Sequence, residues 1–477
     1  MDVLKKPFGA HAVLPDMRSF VWRFFFGVSG LVLSGLLSSD PIFAATTQPA
    51  ITQISFRRDV VPLLLKQCQD CHGVKKSKGG YRLDTFEHLN QSGDSDAIPV
   101  VPGKPKKSEL FRLISTHDED EQMPKKAERL PEAQIAILQH WIEQGASFDG
   151  SSPTAPLASM VTNVEHPAPP EVYHQPIPIT AISFNPEGSE LAISGYHEIT
   201  LWNPEDGKLI GRIKKLPERT YSLCYSPDGK TLAAATGNPG SLGEVRLMDA
   251  FSRDAGKVIE RMTDVMLVVR FNPDGSRLAA GGADNSIRIY NTASQKREQL
   301  IEQHGDWVND LAFSPDGLKL VSASRDKSAR VFDVNTGAMQ AAYLGHEESV
   351  LGVTWNPDGK LIYTAGHDRK IHAWNPLDDK KKVSEIAGFP SDPFKMETGM
   401  GCLFCPAADG IVRQYTLDKL TSVRPYLAGK EWAYCLSLDT KHRRLAVGYG
   451  DGKVRLWDVD QGKPLTEFIA APGYLHQ

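Results

Sequence analysis

Seven strand endings, ITLWN, VRLMD, IRIYN, ARVFD, IHAWN, VRQYT and VRLWD, recur along the larger, C-terminal part of the chain. They place Trp202, Met248, Tyr290, Phe332, Trp374, Tyr415 and Trp457 at successive intervals of 46, 42, 42, 42, 41 and 42 residues. A repeat of this length is one supersecondary unit that cannot bury its apolar face alone, so the copies must pack against one another. Each clear copy holds an apolar strand, a Pro-acid-Gly turn, a second strand, a tight turn and the aromatic-ended third strand. The turns are Pro186-Glu187-Gly188, Pro227-Asp228-Gly229, Pro273-Asp274-Gly275, Pro315-Asp316-Gly317 and Pro357-Asp358-Gly359; proline presets φ and glycine accepts a positive φ. A further short strand, such as KLIGRIKKL, fits after each aromatic strand. Four strands per unit and seven units predict an all-β ring over residues 179–470.

An aspartate stands six residues before the aromatic in five copies, at Asp284, Asp326, Asp368, Asp409 and Asp451. In two copies a histidine precedes that aspartate by 22 residues, pairing His304 with Asp326 and His346 with Asp368. Together with the strand endings, these features resemble the WD repeat, and the resemblance implies a seven-bladed β-propeller that serves as a protein-interaction platform. It also implies that the His/Asp pairs are structural hydrogen-bond networks and not catalytic groups. Tyr196 and Leu242 replace the aspartate in the first two copies, and the sixth, FKMETGMGCLFCPAADG, lacks the proline turn; distortion is expected there. Arg246, Arg288, Arg330, Arg413 and Arg455, two places before the aromatic, are expected to be solvated or salt-bridged.

Upstream of the repeats, residues 68 to 72 read CQDCH. Two thiols one helical turn apart can each add to a vinyl group of a porphyrin, and a histidine directly after them lies where its imidazole can bind the iron. Cys68 and Cys71 are therefore predicted as thioether attachment points, and His72 as the proximal ligand, of one covalent haem c. A thioredoxin-like dithiol would need a βαβ setting, and a zinc site would need one or two further ligands; neither is visible in the sequence. For the distal position the candidate is Met123, in the polar stretch DEDEQMPKK, where a methionine has little packing role and a thioether would raise the reduction potential. His117, His88 and His140 are the alternatives, and an open position would admit small molecules.

Around this motif, residues 55–149 read as short helices and long polar loops. One helix runs from about Val60 into the motif with Pro62 in its first turn, and Ser108 is placed to N-cap ELFRLIS. A last helix begins near Pro131, carries Ile135, Leu138, Trp141 and Ile142 at helical spacing, and stops at Gly145. The runs CHGVKKSKGGYRLDTFEHL, VPGKPKKSELFRLIS, QMP and LPEAQIAILQHWIEQGA resemble the cytochrome c domain abundant in planctomycete bacteria, from about Phe56 to Phe148. That resemblance implies that Cys68, Cys71, His72 and Met123 occupy the haem positions. MPKK stands where such domains often have MPP, which makes the distal loop more basic.

The first 45 residues read as an export signal. Lys5, Lys6, Arg18 and Arg23 precede the apolar run Phe24 to Leu37, then PIFAAT with expected cleavage after Ala44 or Ala45; retention as an anchor would be the one route to membrane association. Residues 150–178, with seven prolines, read as a linker with little structure of its own. Cys224, Cys402, Cys405 and Cys435 read as buried free thiols. A net charge of −4 gives no electrostatic case for nucleic acid.

The expected protein is multidomain, a small all-α cytochrome c-like domain followed by an all-β seven-bladed propeller. The function expected is an exported, periplasmic or envelope monohaem cytochrome that transfers electrons to unidentified redox partner proteins and docks protein on its propeller. A haem enzyme with a second cofactor or substrate site on the propeller, and a haem-based redox or gas sensor, are the other two readings. An electron carrier is favoured over a self-contained enzyme, because nothing in the repeats resembles an activated nucleophile or a metal cluster.

Overall fold

A computed structural model describes residues 53–474, apart from 75, 126–127, 151, 161–163, 379–381 and 428. The expected export signal, residues 1–45, lies outside the described residues.

Residues 53–160 hold six short α-helices among those described: α1 (Val61–Gln67), α2 (Gln69–His72), α3 (Phe86–Leu89), α4 (Glu109–Ser115), α5 (Glu132–Glu143) and α6 (Leu157–Met160). A single π-turn, Phe56–Val60, leads into α1; Ser55 Oγ accepts the Arg58 N–H at its start, and Pro62 sits in the first turn of α1, where no donor is lost. Cys68 breaks the α geometry between α1 and α2. On α5, Ile135, Leu138, Trp141 and Ile142 are buried, and the helix ends at Glu143, with Gly145 at φ +97 two residues beyond. The Trp141 ring lies 5.3 Å from Phe56, while Phe86 meets Phe56 edge-on at 4.9 Å. Ser108 does precede α4 but makes no cap bond. Its buried hydroxyl accepts from Val101 N (2.8 Å) and donates to Lys104 O (3.1 Å), stitching the preceding loop.

Seven antiparallel four-stranded sheets follow, each built from one contiguous stretch of chain with its strands in sequence order. The blades cover residues 182–214, 219–262, 266–301, 308–343, 350–386, 397–427 and 433–469. Ring closure involves no strand exchange: Phe184 N donates to Ser437 Oγ (3.1 Å), Ile179 N donates to Tyr449 O (3.0 Å), and one apolar cluster spans blades 1 and 7. In blade 6 the absent Pro-acid-Gly turn is replaced by Met400 and Gly401, both at positive φ, which joins Glu397–Gly399 to Cys402–Pro406 as a two-residue hairpin.

The His/Asp pairs form the structural networks expected of them. His304 Nδ1 bonds Asp326 (2.8 Å) and its Nε2 bonds Ser322 Oγ (2.6 Å), while His346 joins Asp368 and Thr364 at 2.9 Å each. Ser322 is fully buried, so this Ser–His–Asp line presents no nucleophile. The arginines are salt-bridged, as Arg288 to Asp284 (2.7 Å) and Arg246 to Glu244 (2.6 Å).

Several described residues between 152 and 178 make specific contacts. Leu157 and Met160 join the apolar core of the helical region, and α6 packs against the outer strand of blade 2, Lys257–Met262. Buried His166 meets Glu244 at 3.2 Å, and the Tyr173 hydroxyl donates to Glu198 (2.7 Å). These side chains find their partners on the propeller, information that a proline count does not contain.

Candidate functional site

The CQDCH motif folds as one helical turn: His72 N and Cys71 N both donate to the Cys68 carbonyl, at 3.1 and 3.2 Å. Cys68 and His72 line a cavity of about 370 Å³, and Met123 lines it too, 51 residues further along the chain. Such a volume is in the range of small-molecule and cofactor sites. Leu83, Leu110 and Ile114 supply its buried apolar walls. Met123 is held by its backbone N–H, which donates to Leu113 O (2.9 Å) on α4. Cys71 lies on the same helical turn but is not among the lining residues.

His72 Nδ1 lies 3.2 Å from the Tyr81 carbonyl. A backbone carbonyl can only accept, so this nitrogen carries the proton and Nε2 keeps its lone pair. The Tyr81 ring stands edge-on to the imidazole at 5.5 Å, anchored by its hydroxyl on Leu89 O (2.8 Å). Close packing of two glycine-bearing loops brings the Tyr81 segment there: a Cβ on Gly93 would lie 2.3 Å from Gly79 O and 2.9 Å from Tyr81 N. Burial pushes the Cys68 thiol up to about 12, with the neighbouring Cys71 adding to the shift.

The three histidines considered for the distal position stand elsewhere. His117 is exposed, His88 pairs with Asp84 (3.3 Å), and His140 pairs with Glu143 (2.9 Å); none lines the cavity. The lining residues include one imidazole, one thioether and one thiol beside apolar walls, a donor set that suits a haem. The sequence reading did not include Tyr81, whose role depends on a backbone carbonyl and leaves no side-chain signature.

One further cluster resembles a metal site. His346, Asp368 and His372 place ligand atoms within 4.8 Å of one another. The two imidazoles are stacked, 4.2 Å apart and 15° from parallel, so their in-plane lone pairs cannot converge on one ion. His346 Nδ1 and His372 Nδ1 are already bonded to Asp368 and to the Tyr343 hydroxyl (2.8 Å).

Comparison with known families bears on the same residues. Residues 68–127 match the family model of planctomycete cytochrome C. That cytochrome segment begins at Cys68 and includes both His72 and Met123. Residues 263–291, 295–333, 337–375 and 422–458 match the WD40 domain, G-beta repeat. The chain thus joins a planctomycete cytochrome c segment to WD40 repeats in a seven-bladed propeller. The matched repeats fall on blades 3, 4, 5 and 7, whereas blades 1 and 2 carry Tyr196 and Leu242 in place of the aspartate. THO complex subunit 3 of Arabidopsis thaliana is 31% identical over 102 residues, covering 20% of this chain and 30% of that protein. The chain therefore spans less than a third of that relative's length.

Proposed function

We propose that this protein is an exported monohaem c-type cytochrome that relays single electrons, with residues 55–149 carrying the haem and residues 179–470 forming a propeller that docks protein. The observation that carries this reading is the meeting of His72 and Met123 on one apolar cavity, with Cys68 beside them. Haem c would supply one-electron iron chemistry. Cys68 and Cys71 would hold it covalently, and His72 Nε2 and the Met123 thioether would bind its iron.

The chain's own contribution is positioning and exclusion of water. The Tyr81 carbonyl keeps the His72 proton on Nδ1, and Leu83, Leu110 and Ile114 keep the cavity apolar. No general acid or base is required for a one-electron step, which accords with the structural role of the propeller's His/Asp pairs. WD40 propellers generally mediate protein interactions, and the redox partner is proposed to dock on this one. The periplasm or cell envelope is the proposed location, because haem is attached to such motifs outside the cytoplasm.

The test is expression in a host with a haem-attachment system, followed by mass spectrometry and a pigment assay. One covalent haem per chain is expected, lost in Cys68→Ser/Cys71→Ser. Colourless protein with the mass of bare polypeptide refutes the reading, and a second, extractable haem would favour an enzyme.

A further inference from the structure

The inner strands of the propeller place charged side chains around a cavity of about 110 Å³ in the central channel, lined by Arg270, Lys395, Glu397, Cys224, Cys435 and Ser437 among others. These residues come from blades 2, 3, 6 and 7 and, for Lys395, from the segment leading into blade 6, so the closed ring assembles them. Lys395 and Glu397 retain some exposure toward the channel but are otherwise densely surrounded by protein.

Their polar valences are incompletely used. Lys395 Nζ donates to the Leu267 carbonyl (2.8 Å) and, among the described residues, forms no ion pair. Glu397 accepts one bond, from Leu438 N (3.1 Å). Arg270 donates to Ser222 Oγ and Val269 O (3.1 Å each) and to Asp310 (3.2 Å), and Asp310 also accepts Val353 N (3.1 Å). Asp310 is bonded to Arg270 and also attracts Lys395, so two cations share one committed carboxylate, and Glu397 is the second, titratable one. Ser437 Oγ accepts from Phe184 N and retains its own O–H for donation. Polar groups drawn away from bulk water normally have partners, and a half-buried ammonium on a cavity wall, bonded to a single neutral carbonyl, has valences left for an anion.

We propose that this channel cavity binds one small inorganic oxyanion, held by the Lys395 ammonium, the Arg270 guanidinium and the Ser437 hydroxyl. The space equals about four waters at ~30 Å³ each, enough for one tetrahedral or planar oxyanion and too little for an organic cofactor. The carboxyl of Glu397 acts as a proton-linked gate. Burial raises it to about 7 against the opposing pull of Arg270, and burial lowers Lys395 to about 8. The charged and titratable groups facing Glu397 are Arg270, Asp310, Lys395, Cys224 and Cys435; burial raises both thiols, Cys435 to about 12, so they stay neutral. As pH rises through 7, ionised Glu397 repels the anion, and above 8 the ammonium is lost as well. Both effects weaken binding at alkaline pH.

Sulfate is a suitable probe because its charge is constant over this range. Isothermal titration of the full-length protein with sulfate, against chloride at matched ionic strength, is expected to show one site whose affinity falls as pH rises through 7. Lys395→Met should weaken it at least about tenfold, the scale of a lost charge-assisted hydrogen bond. In Glu397→Gln the fall should begin only near pH 8. Crystals soaked in selenate should show anomalous density within hydrogen-bond distance of Lys395 Nζ. Absence of heat beyond the chloride control, unchanged affinity in Lys395→Met, or selenate bound only elsewhere overturns the proposal. If Lys395→Met does not fold, the Glu397→Gln profile and the selenate position decide the matter. None of these readouts depends on the haem.

Discussion

The imidazole of His72 and the carbonyl of Tyr81 meet at 3.2 Å, and this contact decides which ring nitrogen carries the proton. The backbone oxygen fixes the proton on Nδ1, so the second nitrogen is a ready ligand before any metal arrives. Nine residues separate the two positions, and the bond depends on the loop around Gly79 and Gly93.

Gly93→Ala tests that dependence. The added methyl would collide with the Gly79 carbonyl and the Tyr81 nitrogen, both backbone atoms that cannot swing away. A cost of about 1–3 kcal/mol is expected, together with reduced haem yield, measured by thermal unfolding and by pigment per chain.

Met123→Ala removes the thioether from the cavity wall and should leave the protein haem-bearing with an open distal side. The ferric spectrum should lose its methionine-type charge-transfer band near the red edge. The reduced form should bind carbon monoxide, and the potential should fall by on the order of 0.1 V. An unchanged spectrum would transfer the role to His117.

Glu244 anchors residues 150–178 to blade 2 through His166. Burial alone would raise its pKa, but the His166 hydrogen bond and the charges of Arg246 and Arg261 hold it at about 2, below the usual 4.5. A depressed carboxylate stabilises the fold above its unfolded value and loses that contribution as pH falls from 4.5 through 2. Glu244→Gln should cost roughly 3 kcal/mol at neutral pH and flatten the stability curve in that acid window, measured by urea unfolding across pH.

Burial, with the charges of His346 and Lys382, lowers His372 to about 4. Its unfolded form takes up a proton near 6.5 while the folded form resists, so stability is lost as pH falls from 6.5 to 4. His372→Gln, which can still bond the Tyr343 hydroxyl, should remove that part of the acid sensitivity. An identical urea midpoint difference between variant and wild type at pH 7 and pH 4.5 would refute it.

The repeat architecture was legible because each blade must bury its apolar face on its neighbour, and that demand writes a 42-residue period into Trp202 through Trp457. The helical turn of CQDCH was legible because Cys-x-x-Cys-His is a local spacing that one turn of helix satisfies. The Ser108 hydroxyl and the contacts of His166 and Tyr173 were not, since local preference suggested a cap and a linker where Val101, a loop neighbour, and the distant Glu244 and Glu198 use those groups instead.

By itself the sequence determined the number of blades, the helical turn that carries Cys68, Cys71 and His72, and the candidacy of Met123, because periodicity and short spacing are local properties. Only the tertiary structure decided that Met123, and not His117, lines one cavity with His72, that the Tyr81 carbonyl meets the imidazole, and that Lys395, Glu397 and Arg270 share one channel. Those relations join residues from nine to more than a hundred positions apart, and no composition or period encodes a contact that exists only after the chain has closed on itself.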